Sequence, residues 1–232
     1  MKAGIIAAGR GERLKKEGVL IPKPLISVCG QTLIERAIRI SEKVGVSSVA
    51  CIVNDVEKEV ERYIRSKKWK IPLNLIVKTT RNSMESFLCL KRYLDEPFLL
   101  FMVDSVFRFE SMERFLNKIR EFRSADGVLA LTRYVDDERP LWVKLDKGWK
   151  VTHIGVPFSG YVTAGFYYFK PSVFDFADEV KERMSALREY FAFLIKKGYN
   201  IYGVDVGKVV DVDHVEDIKK AEELIGEDTW DI

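Results

Sequence analysis

A three-layer α/β/α sandwich around a mostly parallel sheet, with a small and partly antiparallel insertion, is the fold class this sequence predicts. Three observations lead there. Apolar runs of strand length alternate with amphipathic helical segments through the first half of the chain. Residues 2–8 form a nearly continuous apolar run, as expected of a parallel strand buried on both faces. From Gly127 onward the pattern changes to shorter extended segments.

The elements follow in order. After the first strand, Gly9 and Gly11 free the backbone to turn sharply and to lie close to a ligand, with successive N–H groups available to an anion. Leu33, Ile34, Ala37, Ile38 and Ile40 share the inward face of a helix that Gly45 ends. Residues 48–53 form the next strand, and Val56, Val60, Tyr63 and Ile64 mark the helix after it. Residues 73–77 are a third strand. Asn82 or Ser83 caps a helix ending near Leu94, and residues 98–103 are a fourth strand that stops at Asp104. Further on, 128–131, 141–145, 151–154 and 162–169 read as extended, with Asp146-Lys147-Gly148 as a turn. Helices over 172–184 and 185–197, strands at 201–206 and 209–212, and a closing helix from Val215 complete a doubly wound, Rossmann-like pattern. Residues 226–232 read as a loosely held tail.

Composition sets limits. A chain of 232 residues, 47 % hydrophobic, can bury a sizeable core within one domain. Its 38 basic and 35 acidic residues are scattered and leave a net charge of +3, so neither nucleic-acid nor membrane affinity is implied. The densest basic stretch, 65–70, contains Trp69 and reads as the solvated end of a helix rather than an RNA-binding patch. Cys29, Cys51 and Cys89 lack C-x-x-C spacing and read as reduced core or near-core residues of a cytoplasmic protein. No stretch is long and apolar enough for a membrane span. A single glutamine with abundant Lys, Glu and Arg leans towards a thermophile.

The chemistry concentrates around the glycine loop. Arg10, Arg13, Lys15, Lys16 and Lys23 surround it with positive charge; a guanidinium grips phosphate oxygens through two donors and a lysine acts as a mobile point charge. The third glycine of a dinucleotide fingerprint is missing, and no G-K-[ST] closes a P-loop. Ala7-Ala8-Gly9-Arg10-Gly11-Glu12-Arg13-Leu14, with Pro22-Lys23-Pro24-Leu25 downstream, resembles instead the signature of the nucleotidyltransferases that make sugar nucleotides and related activated alcohols. The resemblance to this nucleotide-diphospho-sugar pyrophosphorylase family runs through the strand ending at Asp104, through Thr163-Ala164-Gly165, and to the late acidic segment Asp211-Val212-Asp213-His214-Val215-Glu216-Asp217.

What the resemblance implies is transfer of a nucleotidyl group from a nucleoside triphosphate to a phosphorylated sugar or small alcohol, with release of pyrophosphate. One nucleotidyltransferase domain would span 1–232, with a nucleotide-binding half over about 1–126 and an acceptor-binding half over about 127–225. Gly9, Arg10, Gly11 and Glu12 would offer backbone N–H groups to the triphosphate, Arg13 would neutralise the leaving phosphates, and Ala7 and Ala8 would leave room for the base. Lys23 would stand near the α-phosphate, with Pro22 and Pro24 holding its backbone extended. Asn82 and Ser83 occupy the place of a second base-reading loop but lack the family's G-T-A motif, a departure shared with cytidylyltransferases acting on small phosphorylated alcohols. Tyr161, Thr163 and Gly165 would meet the acceptor. Mg²⁺, or Mn²⁺, would be held by Asp104 at the end of its strand and by Asp213, with Asp211 the alternative second ligand, since residues two apart on a strand share a face. His153 and His214 are too few and too far apart for zinc. A homodimer is compatible with this reading.

Two other classes compete. A non-catalytic regulatory subunit would keep the fold, but Arg13, Lys23, Asp104 and Asp213 are costly to hold together without a ligand. A dinucleotide-dependent oxidoreductase would use Asn54-Asp55 as its ribose-binding acid and leave Pro22-Lys23-Pro24 without a role.

Overall fold

A computed structural model describes residues 1–135, 140–155, 160–181 and 183–226. In chain order the elements are β1 (Lys2–Ala7), α1 (Glu12–Lys16), β2 (Ser27–Val28), β3 (Gln31–Thr32), α2 (Leu33–Val44), β4 (Val49–Val53), α3 (Lys58–Ser66), β5 (Leu73–Val77) and α4 (Ser83–Leu90). Then come β6 (Phe98–Met102), β7 (Ser105–Val106), α5 (Phe109–Glu121), β8 (Gly127–Thr132), β9 (Trp142–Leu145), β10 (Val151–Ile154) and β11 (Tyr161–Phe169). The chain closes with α6 (Ala177–Val180), α7 (Leu187–Lys196), β12 (Ile201–Asp205), β13 (Val210–Asp211) and α8 (Val215–Ile225). The expected tail lies, apart from Gly226, outside the described residues.

β5, β4, β1 and β6 lie side by side and parallel. β11 runs antiparallel between β6 and β8, and β12 adds in parallel beyond β8. The β9–β10 hairpin joins the first residues of β11, which is the partly antiparallel insertion expected from the sequence. The chain leaves β1 towards β4 on one side and returns through β6 on the other. That reversal opens a crevice at the carboxyl ends of β1 and β6, the usual ligand position in open α/β sheets. Gly9 and Asp104 therefore come together, because Ile6 pairs with Met102 across the sheet.

Two apolar layers hold helices on opposite faces. One packs α2, α5 and α8 through residues such as Ile34, Ile38, Phe115 and Ile225. The other packs α4 and α7 through Phe87, Leu90, Tyr190 and Phe191, with Val173 and Phe174 beside them. Caps fix where the helices start. The Thr32 hydroxyl accepts the Glu35 N–H at the start of α2, and the Asn82 side chain accepts the Glu85 N–H at the start of α4. Gly45, at φ 77°, ends α2 as expected.

Three local expectations change and a fourth holds. The stretch 172–184 is a 3-10 turn at Pro171–Phe174 followed by the short α6, because the chain must fold back against α4. Lys23 opens a 3-10 turn, Lys23–Leu25, in which Leu25 N–H donates to the Pro22 carbonyl at 2.8 Å; only Pro22 stays extended. Cys29 is exposed at the β2–β3 turn with φ 49°, whereas Cys51 is fully buried. Trp69 donates its indole N–H to the Ile64 carbonyl at 3.0 Å and stacks against Arg39, so the basic stretch around it belongs to the end of α3.

Candidate active site

At the centre of the crevice stands Lys23. It is only 7 % exposed, and its Nζ donates to Asp104 Oδ2 at 2.6 Å and to Asp213 Oδ1 at 2.7 Å. Arg13 reaches the other oxygen of Asp213 at 2.7 Å. Burial disfavours the Lys23 charge, but the two carboxylates outweigh it and raise its pKa above the ordinary lysine value. For Asp213, burial again works against ionisation, and Lys23 and Arg13 overcome it and hold the carboxyl below its usual range. Breaking a part-buried charge network of this kind by removing one member typically costs about 3–5 kcal/mol.

Each member is placed by its own element. Asp104 follows β6; the Val212 N–H donates to its carbonyl at 3.0 Å, which ties it to the strand segment carrying Asp213. The Asp217 carboxylate accepts the N–H groups of Asp213 at 3.1 Å and His214 at 2.8 Å, so it caps α8 and fixes Asp213 together. Arg13 lies on α1, whose start is set by Gly11 at φ 59°. A Cβ on Gly11 would meet the Lys23 Cβ at 2.9 Å, so this glycine is needed for close approach as well as for the turn.

Asp211 is placed differently. Half-buried, it accepts the Ser105 hydroxyl at 2.7 Å, and loss of solvation, with the Asp104 charge added, pushes its carboxyl up to about 7. The Lys23 ammonium thus joins Asp213 to Asp104, while Asp211 pairs with Ser105 instead.

Two cavities flank this cluster. A larger cleft of about 1110 Å³ is lined by Ala8, Gly9, Arg10, Gly11 and Glu12 on one side and by Asn82 and Ser83 on the other. A smaller one of about 230 Å³ is lined by Thr163, Gly165, Tyr167 and Leu141. Arg13, Ser83, Met102, Asp104 and Asp213 border both. The residues expected from the sequence are therefore brought together, with two exceptions. Ala7 is 1 % exposed within β1 and borders neither cavity. Tyr161 borders neither as well; its hydroxyl donates to Asp205 at 3.1 Å and accepts from Arg133 at 2.8 Å.

The structure adds residues that sequence reasoning missed. Ser105 fixes Asp211. Glu17 accepts the Val215 N–H at 2.7 Å and lies 2.5 Å from His214 Nδ1, joining the end of α1 to the start of α8. Arg188 borders the smaller cavity and Lys181 the larger. Ser105 was within reach of sequence reasoning as the neighbour of Asp104, whereas Glu17, Lys181 and Arg188 carry no local signal. Asn54 and Asp55 border neither cavity: the Asn54 side chain accepts the Val56 and Glu57 N–H groups, and the Thr79 hydroxyl pairs with Asp55. That removes the position an oxidoreductase would need for ribose.

A mostly parallel sheet with a cationic glycine loop and two carboxylates facing one crevice defines the class, and comparison with known proteins agrees. The sequence pattern of the nucleotidyl transferase family matches residues 2–227, and the chain belongs to that family. It is 25 % identical over 95 % of its length to a bifunctional IPC transferase and DIPP synthase of Archaeoglobus fulgidus, covering 43 % of that protein. The corresponding protein of Rubrobacter xylanophilus is 28 % identical over 96 % of this chain and 51 % of its own. The chain thus spans about half the length of these curated relatives. In fold it is similar to the inositol-1-phosphate CTP transferase from T. maritima, with a TM-score of 0.81 at 18 % identity over 97 % of this chain and 96 % of that one. It is also similar to the CTP:phosphocholine cytidylyltransferase from Streptococcus pneumoniae, with a TM-score of 0.76 at 23 % identity over 97 % and 98 %.

Proposed function

We propose that this chain transfers a nucleotidyl group from a nucleoside triphosphate to a phosphorylated small alcohol or sugar and releases pyrophosphate. The observation that carries the reading is the Lys23–Asp104–Asp213–Arg13 cluster on the boundary of two cavities. The larger cavity takes the triphosphate and the smaller the acceptor. Both substrates are anions and repel one another. The cations between them offset that repulsion and hold the acceptor phosphate in line with the α-phosphorus.

In the reaction an acceptor phosphate oxygen forms a bond to the α-phosphorus as the bond to the β-phosphate oxygen breaks. A phosphate monoester is already nucleophilic near neutral pH, so no histidine base is needed. Lys23 neutralises charge developing on the α-phosphate, Arg13 faces the leaving pyrophosphate, and the backbone of 9–12 lines the triphosphate. Thr163 and Gly165 meet the acceptor, Asn82 and Ser83 border the nucleotide, and Ala8 leaves space beside it.

The donor set fits a divalent cation. Asp104 and Asp213 offer hard oxygen ligands from separate elements and already converge on one positive centre. A pair of carboxylates suits magnesium, whose sites usually contain one or two. Mg²⁺ or Mn²⁺ held there supplies further neutralisation of the phosphates.

The relatives named for IPC and CTP transfer support CTP as the first donor to test and phosphorylated small alcohols as the first acceptors. Among the described residues no helix is long and apolar enough to cross a membrane. A cytoplasmic location, a thermophilic origin and the ability to dimerise complete the proposal, with residues 1–232 forming one nucleotidyltransferase domain. Pyrophosphate release is measured with Mg²⁺, each of CTP, UTP, GTP, ATP and dTTP, and pooled phosphorylated sugars and alcohols, alongside Lys23→Ala and Asp104→Ala. Release with one donor and one acceptor, lost in both variants, is expected. Silence across the panel, with no triphosphate binding by calorimetry, would leave the regulatory-subunit reading in its place.

A further inference from the structure

The position of Lys23 has a consequence for how cation and nucleotide bind. Its ammonium lies within 2.7 Å of one oxygen on each of the two carboxylates that a divalent cation would use. It is nearly excluded from water, and Gly11 packs tightly against its stem. A metal ion approaching the same two oxygens therefore meets a resident positive charge within contact distance. Either the ammonium moves, or the two cations share the pair at a large electrostatic cost.

The direction in which Lys23 can move is also set by the structure. Its side chain borders the larger cavity, on the same wall as Gly9, Arg10 and Arg13, where phosphate oxygens provide a new anionic partner. Without a triphosphate, the ammonium has only Asp104 and Asp213 as hydrogen-bond acceptors among the described residues.

We propose that Lys23 is a built-in counter-ion for Asp104 and Asp213, and that its release to the triphosphate couples divalent-cation binding to nucleotide binding. Free cation then binds weakly, because it must displace an ammonium that has no other partner. Cation and triphosphate together bind well, because the triphosphate accepts the displaced charge. Such coupling is reciprocal: each ligand tightens the other by the same factor, commonly about 5- to 150-fold. The inference rests on the proposed triphosphate site but concerns the resting protein, so it can be tested without turnover.

The test is Mn²⁺ binding to the nucleotide-free protein, read by electron paramagnetic resonance, for wild type, Lys23→Met, Lys23→Gln and Asp104→Asn. Removing the ammonium is expected to tighten free Mn²⁺ binding by about tenfold or more, a size typical of such coupling, although both Lys23 variants lose activity. Asp104→Asn should weaken binding, which identifies the site being read. Thermal melts provide a parallel readout: the Lys23 variants should lose stability in chelator and recover it with Mn²⁺, while wild type gains little. A variant folded only with Mn²⁺ is the same outcome in stronger form.

Unchanged or weaker Mn²⁺ binding in folded Lys23 variants would overturn the proposal. If neither variant folds, wild type alone decides. Its Mn²⁺ affinity must rise about tenfold or more with a non-hydrolysable triphosphate, and equal affinities would rule the coupling out. Pyrophosphate release by wild type with unaltered Mn²⁺ affinity in the variants would refute this inference alone. Absence of release in wild type would count against the enzymatic reading instead.

Discussion

Gly165→Ala is a sharp probe of how the acceptor strand is joined to the acidic cluster. Gly165 sits at φ 72° where the register between β11 and β8 shifts, and an added Cβ would overlap the Ser105 hydroxyl and come within 3.4 Å of Asp211 Oδ1. Two costs follow. An L-residue in the left-handed region costs about 1–2 kcal/mol. Displacing the Ser105 hydroxyl removes the donor to the part-buried Asp211 carboxylate, which costs about 1–3 kcal/mol. Reduced freedom of the unfolded chain returns about 0.4–1 kcal/mol, so a net loss of about 2–4 kcal/mol is expected. In urea denaturation, with a slope near 2–3 kcal/mol/M for a chain of this size, the midpoint should fall by about 1 M at unchanged slope. Ser105→Gly in the same chain removes the overlap but restores neither the donor to Asp211 nor the backbone freedom, so it should recover little of the loss. A single-variant shift below about 0.2 M would refute the reasoning.

Asp104→Asn should lower kcat by about 100- to 1000-fold, the usual size for losing one charge-stabilising group at a reacting centre, with far-UV circular dichroism unchanged. Asn82→Ala removes the α4 cap and should cost about 1 kcal/mol in denaturant unfolding. Native protein treated with a thiol reagent near pH 8 should react at exposed Cys29 and spare Cys51, whose thiol burial pushes up to about 12; Cys51 should become reactive only on unfolding. The Glu85 carboxyl is held down to about 2, chiefly by the Arg81 backbone N–H and by Lys78. A lowered folded-state value stabilises above the unfolded value near 4.5 and is lost as pH falls from there towards 2. The stability gap between wild type and Glu85→Gln should therefore close over that interval; a gap constant across it contradicts the assignment.

Much of the fold was legible because its signals are local. The apolar run before Gly9, the strand ending at Asp104 and the Asn82 cap each follow from a few neighbouring residues, and the structure places them as expected. The convergence of Lys23 with Asp104 and Asp213 was legible only through the resemblance, since 81 and 190 residues separate the partners. Helix α5 went unread, although Met112 and Phe115 are fully buried, because its charged positions mask the short apolar stripe. Cys29 read as a core residue from its apolar neighbours, but the tight β2–β3 turn carries it outward. Tyr161 has a position on β11 that sequence supplies, but its direction depends on Arg133 and Asp205, which come from two other strands or their ends. The role of Gly165 is hidden for the same reason: Ser105 and Asp211 reach it only through tertiary packing.

The most direct measurement follows the α-phosphorus itself. CTP labelled at that position is incubated with Mg²⁺, phosphorylated small alcohols and the wild-type protein, with the other triphosphates in parallel, and the products are separated. Label joined to the acceptor, with one unlabelled pyrophosphate released per product, is the expected result. Label that stays in triphosphate with every donor and acceptor, or leaves as free nucleoside monophosphate whether or not an acceptor is present, would contradict nucleotidyl transfer at this site.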